Sequence, residues 1–97
     1  MLTGKPKDIS LLEALLLLEN LQEAKDFFSD LCTPSEIRAL NERWRVACYL
    51  AEDELSYRGI HQITGASLTT IGRVARSLRE EPYQGYKKIL NKIKNEQ

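Results

Sequence analysis

A glycine flanked at fixed distances by apolar residues sets the strongest limit on what this chain can fold into. Gly65 stands five residues after Ile60, and Ile71 and Val74 follow it by six and nine positions. Such spacing seats a second helix on a first across a turn where the backbone takes a positive φ, which only glycine adopts cheaply. Leu78 continues the stripe one helical turn later. Ser56 is placed to cap a first helix over Tyr57–Ile63, and Ser67 a second over Leu68–Glu80. The spacing therefore predicts a helix-turn-helix over about residues 56–80.

The remainder of the chain reads as all-α. No Asn-Gly or Asp-Gly turn joins alternating runs, and valine is scarce. Ser10-Leu11-Leu12-Glu13 is a capping box, expected to open one long helix reaching about Ser29. Leu11, Leu12, Leu15, Leu16, Leu18 and Leu21 cover more than one face of that helix, so it must be buried on two sides. One side belongs to its own domain and the other suggests a partner chain. Thr33-Pro34-Ser35-Glu36 is a second start signal, for a helix running to about Ala51. Ile37, Leu40, Trp44, Ala47, Cys48 and Leu50 are its expected core face. Glu52-Asp53-Glu54 reads as a solvated acidic loop rather than a metal site. Pro82 ends the helix begun at Leu68 and opens a last one from Tyr83 to about Lys94, on which Lys87, Lys88, Lys92 and Lys94 form a soluble face.

A chain of 97 residues reads as a single domain over 1–97. It buries only about 60–65% of the surface its unfolded form exposes, a shortage that oligomerisation commonly remedies. A homodimer is expected, with dimerisation helices at about 10–29, 34–51 and 83–94. The longest apolar run, Ala14–Leu18, lies between Glu13 and Glu19, far short of the roughly 20 residues a membrane span needs. The segment before it lacks the features of a signal peptide, so the expected compartment is the cytoplasm. Cys32 and Cys48 are read as free thiols in apolar helical settings. With His61 as the lone histidine, no zinc site, other metal site or cofactor is implied.

Net charge is zero, yet its distribution is lopsided. Residues 1–54 hold 6 Lys/Arg against 11 Asp/Glu, a balance of −5, and residues 55–97 hold 8 against 3, a balance of +5. No acidic residue falls between Leu55 and Arg79, where Arg58, Arg73, Arg76, Arg79 and His61 all stand. Charge asymmetry of this kind points to nucleic-acid contact. On the second helix of the motif, Ser67, Leu68, Thr69, Thr70, Gly72, Arg73 and Arg76 present a short, hydroxyl-rich, acid-free surface suited to a major groove. The arginines can reach phosphate or guanine. On the first helix, Tyr57, Arg58 and His61 are placed to meet phosphates or groove edges. An enzyme is not expected, since no Ser/His/Asp or Cys/His spacing and no glycine-rich phosphate loop occurs. The rival to DNA binding is a helical protein-interaction module using the same fold.

The chain resembles the trp repressor superfamily, and within it the trp-repressor-related YerC/YecD branch. The resemblance covers about Leu31 to Leu90 and rests on Leu31-Cys32-Thr33-Pro34-Ser35-Glu36, Ala39-Leu40 with Arg43 and Arg45, and Leu55-Ser56-Tyr57-Arg58. It continues through Gly65-Ala66, Thr70-Ile71, Arg73, Ser77-Leu78 and Pro82. It implies six helices, an intertwined dimer built by the terminal helices, and transcriptional repression. Carried over, Thr33, Arg43, Arg73 and Ser77 match the positions that bind the tryptophan corepressor. Where the repressor has a glycine stacking on the indole, this chain has Val74, whose side chain stands where the indole would lie; such crowding costs about 1–3 kcal/mol. The expectation is a regulator that does not depend on tryptophan, with response to tryptophan or another small ligand as the alternative. Leu68, Thr69 and Gly72 depart from the residues that touch operator bases in the repressor, which implies a different operator.

Overall fold

The computed structural model describes residues 4–96, and these form six α-helices, preceded by one short 3-10 turn at Pro6–Asp8. They divide into two units, one ending at Ile37 and one beginning at Arg38. No helix of the described residues is long and apolar enough to cross a membrane.

In the first unit, α1 (Leu11–Leu15) starts as expected. Ser10 Oγ accepts the Glu13 amide and the Glu13 carboxylate accepts the Ser10 amide, both at 3.1 Å. The single helix expected over 10–29 does not form. The chain leaves α1 through Leu16–Leu18, whose amides bond three residues back rather than four. It restarts as α2 (Leu21–Leu31), capped by Asn20 in extended backbone. The Asn20 side chain accepts the Glu23 amide at 2.8 Å, and the Glu23 carboxylate accepts the Glu19 amide at 3.0 Å. These local bonds offer the backbone a better arrangement than a continued helix. No described residue of this unit is buried, and Leu12 and Leu16 are 74% and 85% exposed.

Helix α3 (Pro34–Glu52) begins behind Thr33, whose hydroxyl accepts the Glu36 amide at 3.2 Å while its own amide donates to the Glu36 carboxylate at 2.8 Å. From Arg38 onward its residues belong to the second unit. There α4 (Tyr57–Thr64), α5 (Leu68–Arg79) and α6 (Gly85–Asn95) follow, with α5 packed on both α4 and α6. The core is Val46, Ala47 and Leu50 of α3, Ile60 of α4, Ala66 in the turn, and Ile71, Val74, Ala75 and Leu78 of α5. Tyr49, Tyr86 and Leu90 cover it. Leu40, expected in the core, is exposed, whereas Val46 is fully buried. Helix α6 starts two residues later than Tyr83, because Gln84 takes a left-handed conformation and its side-chain amide donates to the Glu81 carbonyl at 2.7 Å. Both cysteines are free and half-buried. Burial, aided by the negative charge of Glu52, pushes the Cys48 thiol above its ordinary value, which keeps it protonated and poorly nucleophilic.

Candidate nucleic-acid interface

The turn between α4 and α5 is fixed by groups on both of its sides. Gly65 adopts φ +78° and its amide donates to the His61 carbonyl at 2.9 Å, closing α4 with a left-handed cap. The Thr64 hydroxyl donates to the Ile60 carbonyl at 2.7 Å and accepts the Ala66 amide at 3.1 Å. His61 Nδ1 meets the Ala66 carbonyl oxygen at 2.6 Å. Next, Ser67 opens α5 by accepting the Thr70 amide at 3.0 Å, and its hydroxyl bonds the Thr70 hydroxyl at the same distance. Ile60, Ala66 and Ile71, with no exposed surface, pin the two helices together beneath.

Above that core, Tyr57, Arg58 and His61 of α4 are exposed, as are Ser67 at the cap and Leu68, Thr69, Arg73 and Arg76 of α5. Thr70 and Gly72 are half-buried. Thr69, Gly72, Arg73 and Arg76 fall on one face by helical spacing. A Cβ at Gly72 would meet nothing within 4 Å, so the glycine leaves a shallow, unobstructed step in the middle of that face.

Concavities adjoin α5 near the arginines of that face. A cleft of about 270 Å³ gathers Arg43, Arg73, Val74, Ser77 and Tyr86, so four of the five residues expected at a ligand pocket come together. Val74 itself is only 3% exposed, a packed core residue whose edge alone reaches the cleft. The fifth, Thr33, lies in the first unit and caps α3. A larger depression, about 730 Å³, is lined by Arg73, Arg76, Ser77, Glu81, Tyr83, Gln84, Gly85 and Tyr86. Tyr86, which lines both, was not legible as a site residue, because its place depends on stacking against Trp44 from a distant helix. Among the described residues no three His, Cys, Asp or Glu side chains gather into a group able to hold a metal ion.

The family model of the Trp repressor protein matches residues 9–94. The chain belongs to the Trp repressor family. It is 41% identical over 93 residues to the uncharacterized protein YerC of Bacillus subtilis (strain 168), covering 96% of this chain and 86% of YerC. Among solved structures it is similar to a TrpR-like protein from Eubacterium eligens ATCC 27750, with a TM-score of 0.81 and 43% identity over 86% of this chain and 84% of that one. The all-α, six-helix fold expected from the sequence is therefore the fold of Trp-repressor-like proteins, and the resemblance to the YerC branch holds.

Proposed function

We propose that this Trp repressor family member is a sequence-specific regulator of transcription, a repressor that binds double-stranded DNA as a homodimer and does not depend on tryptophan. The observation that carries the DNA reading is the exposed face of α4 and α5. It holds Tyr57, Arg58, His61, Ser67, Leu68, Thr69, Arg73 and Arg76 over a rigid turn, with no acidic side chain from Leu55 to Arg79. Helices α4 and α5 act as a helix-turn-helix, the first turn of α5 entering the major groove and the arginines meeting phosphate or guanine. A second copy of the chain covers the exposed leucines of the first unit, and α3 and α6 also take part in dimerisation. Two reading helices then meet half-sites about 34 Å apart.

Independence from tryptophan is supported by the burial of Val74. Its branched side chain already makes the core contacts that a glycine would leave to a ligand. The deciding experiment is selection of genomic fragments by the purified protein, with and without L-tryptophan. A two-fold-symmetric motif recovered in both conditions is the expected result. Recovery only with tryptophan would keep DNA binding and overturn the independence. No enrichment in either condition would turn the assignment towards a protein-interaction module.

A further inference from the structure

His61 bears on what the interface reads, and the inference rests on the DNA-binding reading above. Its Nδ1 lies 2.6 Å from the Ala66 carbonyl oxygen. A carbonyl oxygen only accepts, so Nδ1 must carry the proton, and in the neutral ring Nε2 is left as a bare acceptor. The bond also fixes where that acceptor stands. Ala66 is fully buried and immediately precedes the cap of α5, so the ring is held beside the first turn of that helix. His61 is an exposed residue, on the same face of α4 as Tyr57, one turn earlier. Nε2, on the far side of the ring from the anchored nitrogen, therefore meets solvent, or whatever lies against α5.

Duplex DNA sorts the partners of a lone acceptor sharply. Phosphate oxygens accept and do not donate, so they have nothing to offer a neutral Nε2. Guanine presents N7 and O6, and thymine O4, in the major groove, all acceptors as well. Only the adenine N6 and cytosine N4 amines donate there. The geometry points to His61 as a specificity-determining residue: with Nδ1 committed to the Ala66 carbonyl, its Nε2 accepts from an exocyclic amine of adenine or cytosine, not from the phosphate backbone. The same anchoring bond limits rotamer freedom, which makes the contact selective in position as well as in chemistry.

The test pairs protein and DNA changes. Asparagine places an amide N–H where Nδ1 stands and has nothing at the place of Nε2, so His61→Asn keeps the turn bond and removes the reader. At pH 8, fragment selection with the wild-type chain should return a half-site with one position restricted to adenine or cytosine on one strand. His61→Asn should return the same half-site with that position degenerate. Replacing the base by one that lacks only the amine (purine for adenine, 2-pyrimidinone for cytosine) should weaken wild-type binding about three- to tenfold, the worth of one hydrogen bond, and leave His61→Asn unmoved. Which replacement bites identifies the base. The wild-type arm shows that the amine is read, and His61→Ala, which lacks both ring nitrogens and should also lose the response to the amine, carries the attribution to His61 if His61→Asn folds poorly. An unchanged motif in His61→Asn overturns the inference. So does an equal loss on all sequences with a salt slope shallower by about 0.9 per protomer, which marks a phosphate contact. If the wild-type chain enriches no motif at all, the DNA reading falls first and this inference with it.

Discussion

Trp44 of α3 and Tyr86 of α6 lie nearly parallel, their ring centroids 6.4 Å apart and their planes 29° apart. The stack ties the last helix to the body of the second unit, beside the cleft that Arg43, Arg73 and Ser77 also line. Trp44 is the chain's single tryptophan, so its fluorescence reports on this one place in the fold. Tyr86→Ala should expose the indole and shift its emission to the red. It should also lower unfolding free energy by about 1–3 kcal/mol, since the pair is only half-buried. An unshifted spectrum would show that α6 is held by other contacts.

Gly65→Ala tests the turn. At φ +78° a Cβ would meet nothing within 4 Å, so the cost is conformational and not steric crowding. About 1–2 kcal/mol of stability should be lost, which lowers the melting temperature by about 4–8 °C per kcal/mol for a chain of this size. A wild-type melting curve would mean that the turn relaxes out of the left-handed region at little cost.

What could be read from the sequence follows the range of the interactions involved. Ser56, Gly65 and Ser67, and the buried stripe of Ile60, Ile71, Val74 and Leu78, were legible because caps, positive φ and helical period are all local. The break between α1 and α2 was hidden by the leucines around it. Their spacing suits a continuous helix, and Asn20 with Glu23 signals a cap only once the competing backbone bonds are weighed. Tyr86 and its partner Trp44 are separated by two whole helices, α4 and α5, and no spacing rule joins them. His61 was legible as an exposed residue of the face, but its bond to Ala66 depends on the turn's three-dimensional path. Gathering of Arg43, Arg73 and Ser77 about Val74 came from the family resemblance, not from any periodicity.

Acid should loosen the start of α3. The Thr33 backbone amide, and then its hydroxyl, bond the Glu36 carboxylate and hold it below the usual carboxylate range. A depressed value in the folded state gives stability that is present above the unfolded-state value and is lost as pH falls through the folded-state value. Glu36→Gln should therefore melt like the wild type at low pH and less stably near neutrality. Equal differences at both ends would show that the charge has no part in the cap.

The leucines of the first unit predict assembly. Leu12, Leu16 and Leu17 are exposed in the isolated chain, and a patch of this kind marks an interaction surface. Sedimentation at micromolar concentration should give a dimer, and Leu16→Glu should shift it towards monomer. A wild-type monomer would remove the paired half-sites from the proposed function while leaving each reading helix intact.

Val74→Gly separates packing from ligand dependence. Valine is 3% exposed beside Ile71, Ala75 and Leu78, so its removal deletes core contacts, and glycine further weakens α5 by about 1 kcal/mol. A total loss of about 2–3 kcal/mol is expected. The vacated space would extend the cleft of Arg43, Arg73, Ser77 and Tyr86 towards the core, giving a flat ring room beside them. Calorimetric titration should then detect L-tryptophan in the variant and none in the wild type, and tryptophan should raise the variant's melting temperature by mass action. Saturable micromolar binding to the wild type would show that Val74 does not close the site. A variant that is destabilised but still blind to tryptophan would show that this family member lacks more of the ligand's surroundings than one side chain.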